Sequence, residues 1–179
     1  RLYLTPEHKA AAAEVAGWMQ AAGMSARLDA AGTVVGRCEG ATPEAPLLLL
    51  GSHIDTVRNG GKYDGNFGVV AAIQAIDELH RAGEILPFAI EILAFGDEEG
   101  VRFPMTLTGS KAVAGIFDPR ALDCRDAADI TLREALLAFG GDPDDIARLT
   151  RDPGRVLGYV ELHIEQGPVL EGEDLPVGI

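Results

Sequence analysis

Three short apolar runs organise this chain: Leu47–His53, Phe88–Phe95 and Val156–Ile164. Each is bounded by turn-forming or polar residues, and each is of strand length. Runs of that kind read as strands buried on both faces. Between the first two, residues 64–80 change to a helical period, with Val69, Ala72, Ile73, Ile76 and Leu79 inward and Gly83 as the stop. Upstream, Thr5-Pro-Glu is a helix start, with Thr5 as N-cap and Pro6 in the first turn. The alanine-rich segment that follows runs to Ala22 and places Val15, Trp18 and Met19 on one face, with His8, like the later His80, on a helix surface. Residues 24–28 and 33–37 form two short strands around Ala30-Ala-Gly32, and residues 40–46 form a polar loop. Downstream, residues 109–116 and 131–139 are short helices, the second closed by Gly140-Gly141. Residues 118–128 are irregular, 142–151 hold a short helix or turn, and 167–171 begin another. Residues 174–179 start a further strand. Strands alternating with helices predict an α/β fold, three layers α/β/α around a mostly parallel mixed sheet.

Composition narrows the function. The net charge of −13 disfavours nucleic acid and anionic membrane surfaces as partners. No apolar run has the length a bilayer crossing needs, and no signal peptide is expected. The two cysteines, Cys38 and Cys124, make no framework and no CxxC pair, which predicts a reducing, cytoplasmic setting. A first residue other than methionine and a last segment that opens a strand predict a fragment of a longer chain.

Polar residues at the ends of the apolar runs carry the candidate chemistry. His53 and Asp55 form an H-x-D at one strand end, where a period of two points both side chains to one side. The imidazole can ligate a metal while the carboxylate orients the ring. Alone, H-x-D is a weak signal, since a strand-end histidine often bonds a carboxylate for purely structural reasons. Asp64 sits among Gly60, Gly61 and Gly65 and could cap a helix or bridge two metals. The adjacent Glu98 and Glu99 follow a fully apolar strand. Neighbouring carboxylates repel unless cations are present, and one can ligate while the other handles protons. In Val160-Glu-Leu-His-Ile-Glu-Gln-Gly-Pro168, alternation sets Glu161, His163 and Glu165 on one side. Four such coincidences at strand ends point to one shared site for two divalent metals.

The motifs Gly51-Ser-His-Ile-Asp-Thr56, Gly60-Gly-Lys-Tyr-Asp-Gly65, Asp97-Glu-Glu-Gly-Val-Arg-Phe103, Thr108-Gly-Ser-Lys-Ala-Val-Ala-Gly115 and Leu162-His-Ile-Glu-Gln-Gly-Pro168 resemble the amidase–carbamoylase branch of the aminoacylase-type metallopeptidase superfamily. That branch includes N-carbamoyl-L-amino-acid hydrolases, β-ureidopropionases and allantoate amidohydrolases. The resemblance implies His53 and Glu99 as terminal ligands on different metals, Asp64 as their bridge, and His163 as a ligand sharing its metal with His53. Glu98 would be the general acid/base, Asp55 would orient His53, and Gln166 would contact a small ureido or amide substrate. The metals would be zinc, manganese, cobalt or nickel, which mixed His and carboxylate ligands suit. Residues 1–179 would be an incomplete N-terminal portion of the catalytic domain. A lid-and-dimerisation domain and a further C-terminal histidine ligand belong to the family pattern, with a homodimer as the full-length form. Rival readings are a peptidase or N-acyl amino acid deacylase of the same superfamily, and a non-catalytic metal-binding module.

Overall fold

A computed structural model describes residues 1–179. The apolar runs are strands of one five-stranded sheet. Its members are β1 (Ser25–Leu28), β2 (Val34–Cys38), β3 (Leu47–His53), β4 (Ala89–Phe95) and β5 (Val156–Val160), in the order β1-β2-β4-β3-β5. β3 pairs in parallel with β4 and with β5, while the β1–β2 hairpin and the β2–β4 pair are antiparallel. The sheet is therefore mixed, and its parallel half is the half whose strand ends carry the polar motifs.

Helices α1 (Pro6–Ala21) and α2 (Asn66–Arg81) pack on one face of the sheet. Ile90, Ile92 and Ala94 of β4 point into that larger core, and the alternate residues Ala89 and Leu93 join Val35, Leu47 and Leu49 on the opposite face. Helix α3 (Thr108–Val113) closes the second cluster through Val113. Both faces are thus apolar, which is why β3 and β4 read as unbroken hydrophobic runs. Glu91 of β4 is the exception: it is buried on the α3 side and held by Arg37 at 3.1 Å and Arg151 at 2.7 Å. Helix α4 (Leu132–Phe139) carries a capping box, Thr131 with Glu134, and ends on Gly140 at φ +104°.

Several local expectations change. Trp18 is 48% exposed, because the buried stripe of α1 runs through His8, Ala12, Val15 and Met19, and Trp18 falls on its border. His8 is fully buried. Its Nδ1 accepts the Leu4 N–H at 3.0 Å, and its ring stacks on Phe139 with centroids 4.8 Å apart. Strand β5 ends at Val160 instead of Ile164, since its pairing with β3 stops at Leu50↔Val160. Residues 118–128 contain a 3-10 turn, Pro119–Asp123, and residues 142–151 contain another, Ile146–Leu149. A one-turn helix α5 (Val169–Gly172) follows the His163 segment, and residues 174–179 are exposed and form no strand.

Candidate metal centre

The carboxyl ends of β3, β4 and β5 and the loop before α2 converge on one spot. That is where ligands collect in sheets of this kind. His53, the last residue of β3, is 2% exposed, and its Nδ1 lies 3.0 Å from the Asp55 carbonyl. His163 Nδ1 lies 2.8 Å from the Ile164 carbonyl. A carbonyl only accepts, so each ring donates from Nδ1 and turns its Nε2 toward the site. Those two Nε2 atoms face one another at 3.3 Å. Two such nitrogens at that distance need a proton or a cation between them. Asp64 Oδ1 completes the group, 3.2 Å from His163 Nε2 and 3.7 Å from His53 Nε2. Two imidazole nitrogens and a carboxylate oxygen are a donor set that fits a divalent transition metal.

A second group shares His53. Its Nε2 lies 3.8 Å from Glu98 Oε2, and ligand atoms of His53, Glu98 and Glu99 all lie within 4.8 Å of one another. Asp64 groups with the two histidines and Glu99 with Glu98, so the two sets meet at His53. Glu99 also accepts the Val57 N–H at 3.3 Å. Burial, together with the charges of Asp64 and Glu98, raises the Glu99 carboxyl above its ordinary range. Burial opposes a charge on His53, but hydrogen bonds to Asp55 and the charges of Asp55 and Glu98 lift it to about 9. The spot therefore attracts positive charge.

Asp55 does more than face His53. It sits 3.4 Å from His53 Nδ1, and its two oxygens accept the backbone N–H groups of Glu98 and Glu99, each at 3.1 Å. Burial alone would raise this carboxyl, yet the His53 contact and those two N–H donors hold it below its usual range. One buried carboxylate thereby ties the end of β3 to the turn after β4.

Asp64 does not cap α2. Gly65 holds the N-cap position at φ +68°, leaving the Asp64 carboxylate turned toward the histidines. A Cβ on Gly65 would lie 2.5 Å from the His53 ring, so glycine is required there by both conformation and space. Gln166 is in the left-handed region at φ +60°, and its amide donates to both Asp64 oxygens, at 3.0 and 2.9 Å. Of the three alternating residues around His163, only His163 joins the site. Glu161 turns to Ser52, and Glu165 accepts the N–H groups of Val169 and Leu170 at the start of α5. The strand geometry that would align all three ends at Val160.

Asp97 is a part of the site that the sequence patterning missed. It is 2% exposed; its carboxylate accepts the Thr108 hydroxyl at 2.5 Å, and its carbonyl accepts the Leu107 N–H at 2.6 Å. It pins the Glu98–Glu99 turn to α3. The only signal was an acidic residue between the apolar strand and the pair. His53, Glu98, His163 and Gln166 open onto a groove of about 640 Å³, whose floor includes Leu49, Leu93, Val113 and Tyr159.

Comparison with known proteins gives the family. Residues 49–179 match peptidase family M20/M25/M40, and the chain belongs to that family. It is 48% identical to an N-carbamoyl-L-amino acid amidohydrolase of Geobacillus stearothermophilus, over all of this chain and 44% of that protein. It is 41% identical to allantoate deiminase 1 of Glycine max, over all of this chain and 38% of that protein. Among solved structures it superposes on a hydantoinase/carbamoylase family amidase from Burkholderia ambifaria with a TM-score of 0.85 and 40% identity, covering 97% of this chain and 42% of that one. The chain thus spans less than half the length of these relatives.

Proposed function

We propose that the protein is a metal-dependent amidohydrolase that cleaves a ureido (N-carbamoyl) C–N bond in a linear substrate such as an N-carbamoyl amino acid or allantoate. The observation that carries this reading is the pair of Nε2 atoms, of His53 and His163, meeting at 3.3 Å beside Asp64 with Glu98 3.8 Å from His53. His53, His163 and Asp64 would hold one divalent cation. Glu99, with Asp64 as the bridge, would hold a second. Bound there, such cations would polarise a carbamoyl oxygen and lower the pKa of a water toward neutrality. Glu98, half-exposed at the groove, would serve as the base that takes a proton from the attacking water and as the acid that returns one to the leaving nitrogen. Asp55 keeps the His53 ring and the Glu98–Glu99 turn in register. Gln166, already aimed into the site, contacts the substrate.

The relatives named as N-carbamoyl amino acid amidohydrolases and allantoate deiminases support this substrate class. The family's peptidase members give the rival reading, cleavage of a peptide or N-acyl bond. A cytoplasmic homodimer belongs to the same proposal; Cys38 and Cys124, both unpaired, agree with a reducing compartment. The test is direct. The full-length gene product is stripped with chelator, reloaded separately with zinc, manganese, cobalt or nickel, and assayed on matched carbamoyl, acyl and dipeptide substrates. Ammonia release from the carbamoyl compounds with at least one metal is expected. Turnover confined to acyl or peptide bonds would transfer the assignment to the rival.

A further inference from the structure

The two imidazoles of the metal centre stand at the ends of adjacent parallel strands, yet the backbone ladder between those strands does not reach them. Pairing of β3 with β5 ends at Leu50↔Val160, three residues short of both His53 and His163. Something other than the ladder must fix their separation, and two contacts fill the gap.

The first is a side-chain bond. Ser52, 1% exposed and adjacent to His53, donates its hydroxyl to Glu161 Oε1 at 2.7 Å. Glu161 precedes His163 by two residues. Its other oxygen accepts the Tyr159 hydroxyl at 2.7 Å, so the carboxylate is held from both sides. The second contact is steric. The Leu162 carbonyl rests against Gly68 in the first turn of α2, where any Cβ would overlap that oxygen and would stand 2.9 Å from Ser52 Cβ. The segment carrying His163 is thereby seated on the helix whose preceding loop carries Asp64.

We propose that the Ser52–Glu161 hydrogen bond and the Gly68 seat are positioning devices that set the distance between the two histidine ligands. They replace the missing rungs of the β3–β5 ladder. None of these residues belongs to the ligand set, although Ser52 and Glu161 also line the groove; each bears on the cation site through His53 or His163. The proposal rests on the metal-centre reading above. It deepens that reading by assigning the tuning of the two-histidine site to groups outside the ligand set, an effect that supporting hydrogen bonds exert at metal sites in general.

The experiment uses the full-length gene product freed of metal and titrated with Co²⁺. Visible absorption reports ligand geometry, and thermal melting of the metal-free form controls for stability. Ser52→Ala, Glu161→Ala and Gly68→Ala are expected to weaken Co²⁺ binding about ten-fold or more, within the range set by such supporting residues. All three should also change the absorption spectrum; Ser52→Ala should leave the metal-free melting temperature near wild type, whereas Gly68→Ala, which sets a Cβ against the Leu162 carbonyl, and Glu161→Ala, which unpairs the buried Ser52 hydroxyl, should lower it. Glu161→Gln keeps an acceptor for Ser52 and should restore most of the affinity and the wild-type spectrum. Wild-type affinity and spectrum in Ser52→Ala and Glu161→Ala would overturn the clamp. If Gly68→Ala fails to fold, the Ser52 and Glu161 variants still decide. A His53→Ala control separates the two levels of argument: unchanged Co²⁺ binding there would overturn the metal centre itself, whatever the clamp variants show.

Discussion

At the scale of single residues, the adjacent Glu98 and Glu99 are distinguished by what surrounds them. Glu98 projects into the groove toward His53, whereas Glu99 is tied to the Val57 N–H and lifted by burial and neighbouring charge. Glu98→Gln in the full-length gene product should cut turnover by roughly a hundred- to ten-thousand-fold, the usual worth of a positioned acid/base, with metal content near wild type. Glu99→Gln should instead lower metal content, measured by elemental analysis. Equal metal loss in both would reverse the assignment. His8 makes a separate prediction. Burial lowers it to about 4 from an ordinary value near 6.5, and its Nδ1 must stay unprotonated to accept from Leu4. Between about pH 4 and 6.5 the unfolded chain binds the proton that the folded one refuses, so this contribution to stability rises with pH and is lost on acidification. Buried Asp29 and Asp97, raised to about 6, push the other way over part of that window. The clean measure is therefore wild type against His8→Asn, by denaturant unfolding. The stability difference should swing toward wild type by about 3 kcal/mol from pH 4 to pH 7, and a flat difference would show that His8 titrates normally.

At the scale of elements, legibility followed the reach of the pattern. The buried runs of β3 and β4 and the periodicity of α2 could be read directly because burial on both faces or on one stripe writes itself into local sequence. The approach of Asp64 and His163 to His53, and of Glu99 to His53, was legible because their motifs lie at or just past the ends of β3, β4 and β5 and in the loop before α2. Less legible were features decided by packing from afar. His8 looked like a surface residue because nothing local announces that Phe139 and the Leu4 segment will cover it. The end of β5 at Val160 depends on β3 running out of partners, and the Glu161–His163–Glu165 alternation stops having meaning there. Asp97 belongs to the same class: its partner Thr108 lies across a turn. Thr108→Val should strand a buried carboxylate oxygen without its hydroxyl donor, at a cost of about 1–3 kcal/mol, and loosen the turn that carries Glu98 and Glu99. Thr108→Ser should recover most of the loss in urea unfolding. A Thr108→Val protein as stable as wild type would show that the 2.5 Å contact contributes nothing net.

At the scale of the molecule, the site and the sheet point the same way. Strand β5 is paired on one side only, and Leu157, Tyr159 and Val160 remain 57%, 45% and 57% exposed. Parallel strands are normally covered on both faces, and an unpaired apolar edge is a template for association. The relatives extend well beyond the span matched by this chain, which is 44% of the Geobacillus protein. The groove beside the metal centre is floored by apolar residues of the same sheet half, so a cover for it would also shield the reacting groups from water. These features predict different behaviour for two preparations. The 179-residue polypeptide expressed alone should fold around its buried core, self-associate through β5, bind metal weakly and release no ammonia from N-carbamoyl substrates. The full-length gene product should be a defined oligomer with activity. Sedimentation velocity with a parallel ammonia assay checks both. Substitution of Leu157 and Val160 by lysine should reduce association of the isolated chain, since edge charges oppose strand addition. A monodisperse, active 179-residue chain would refute the argument from the exposed edge and show that the site needs nothing beyond the residues described.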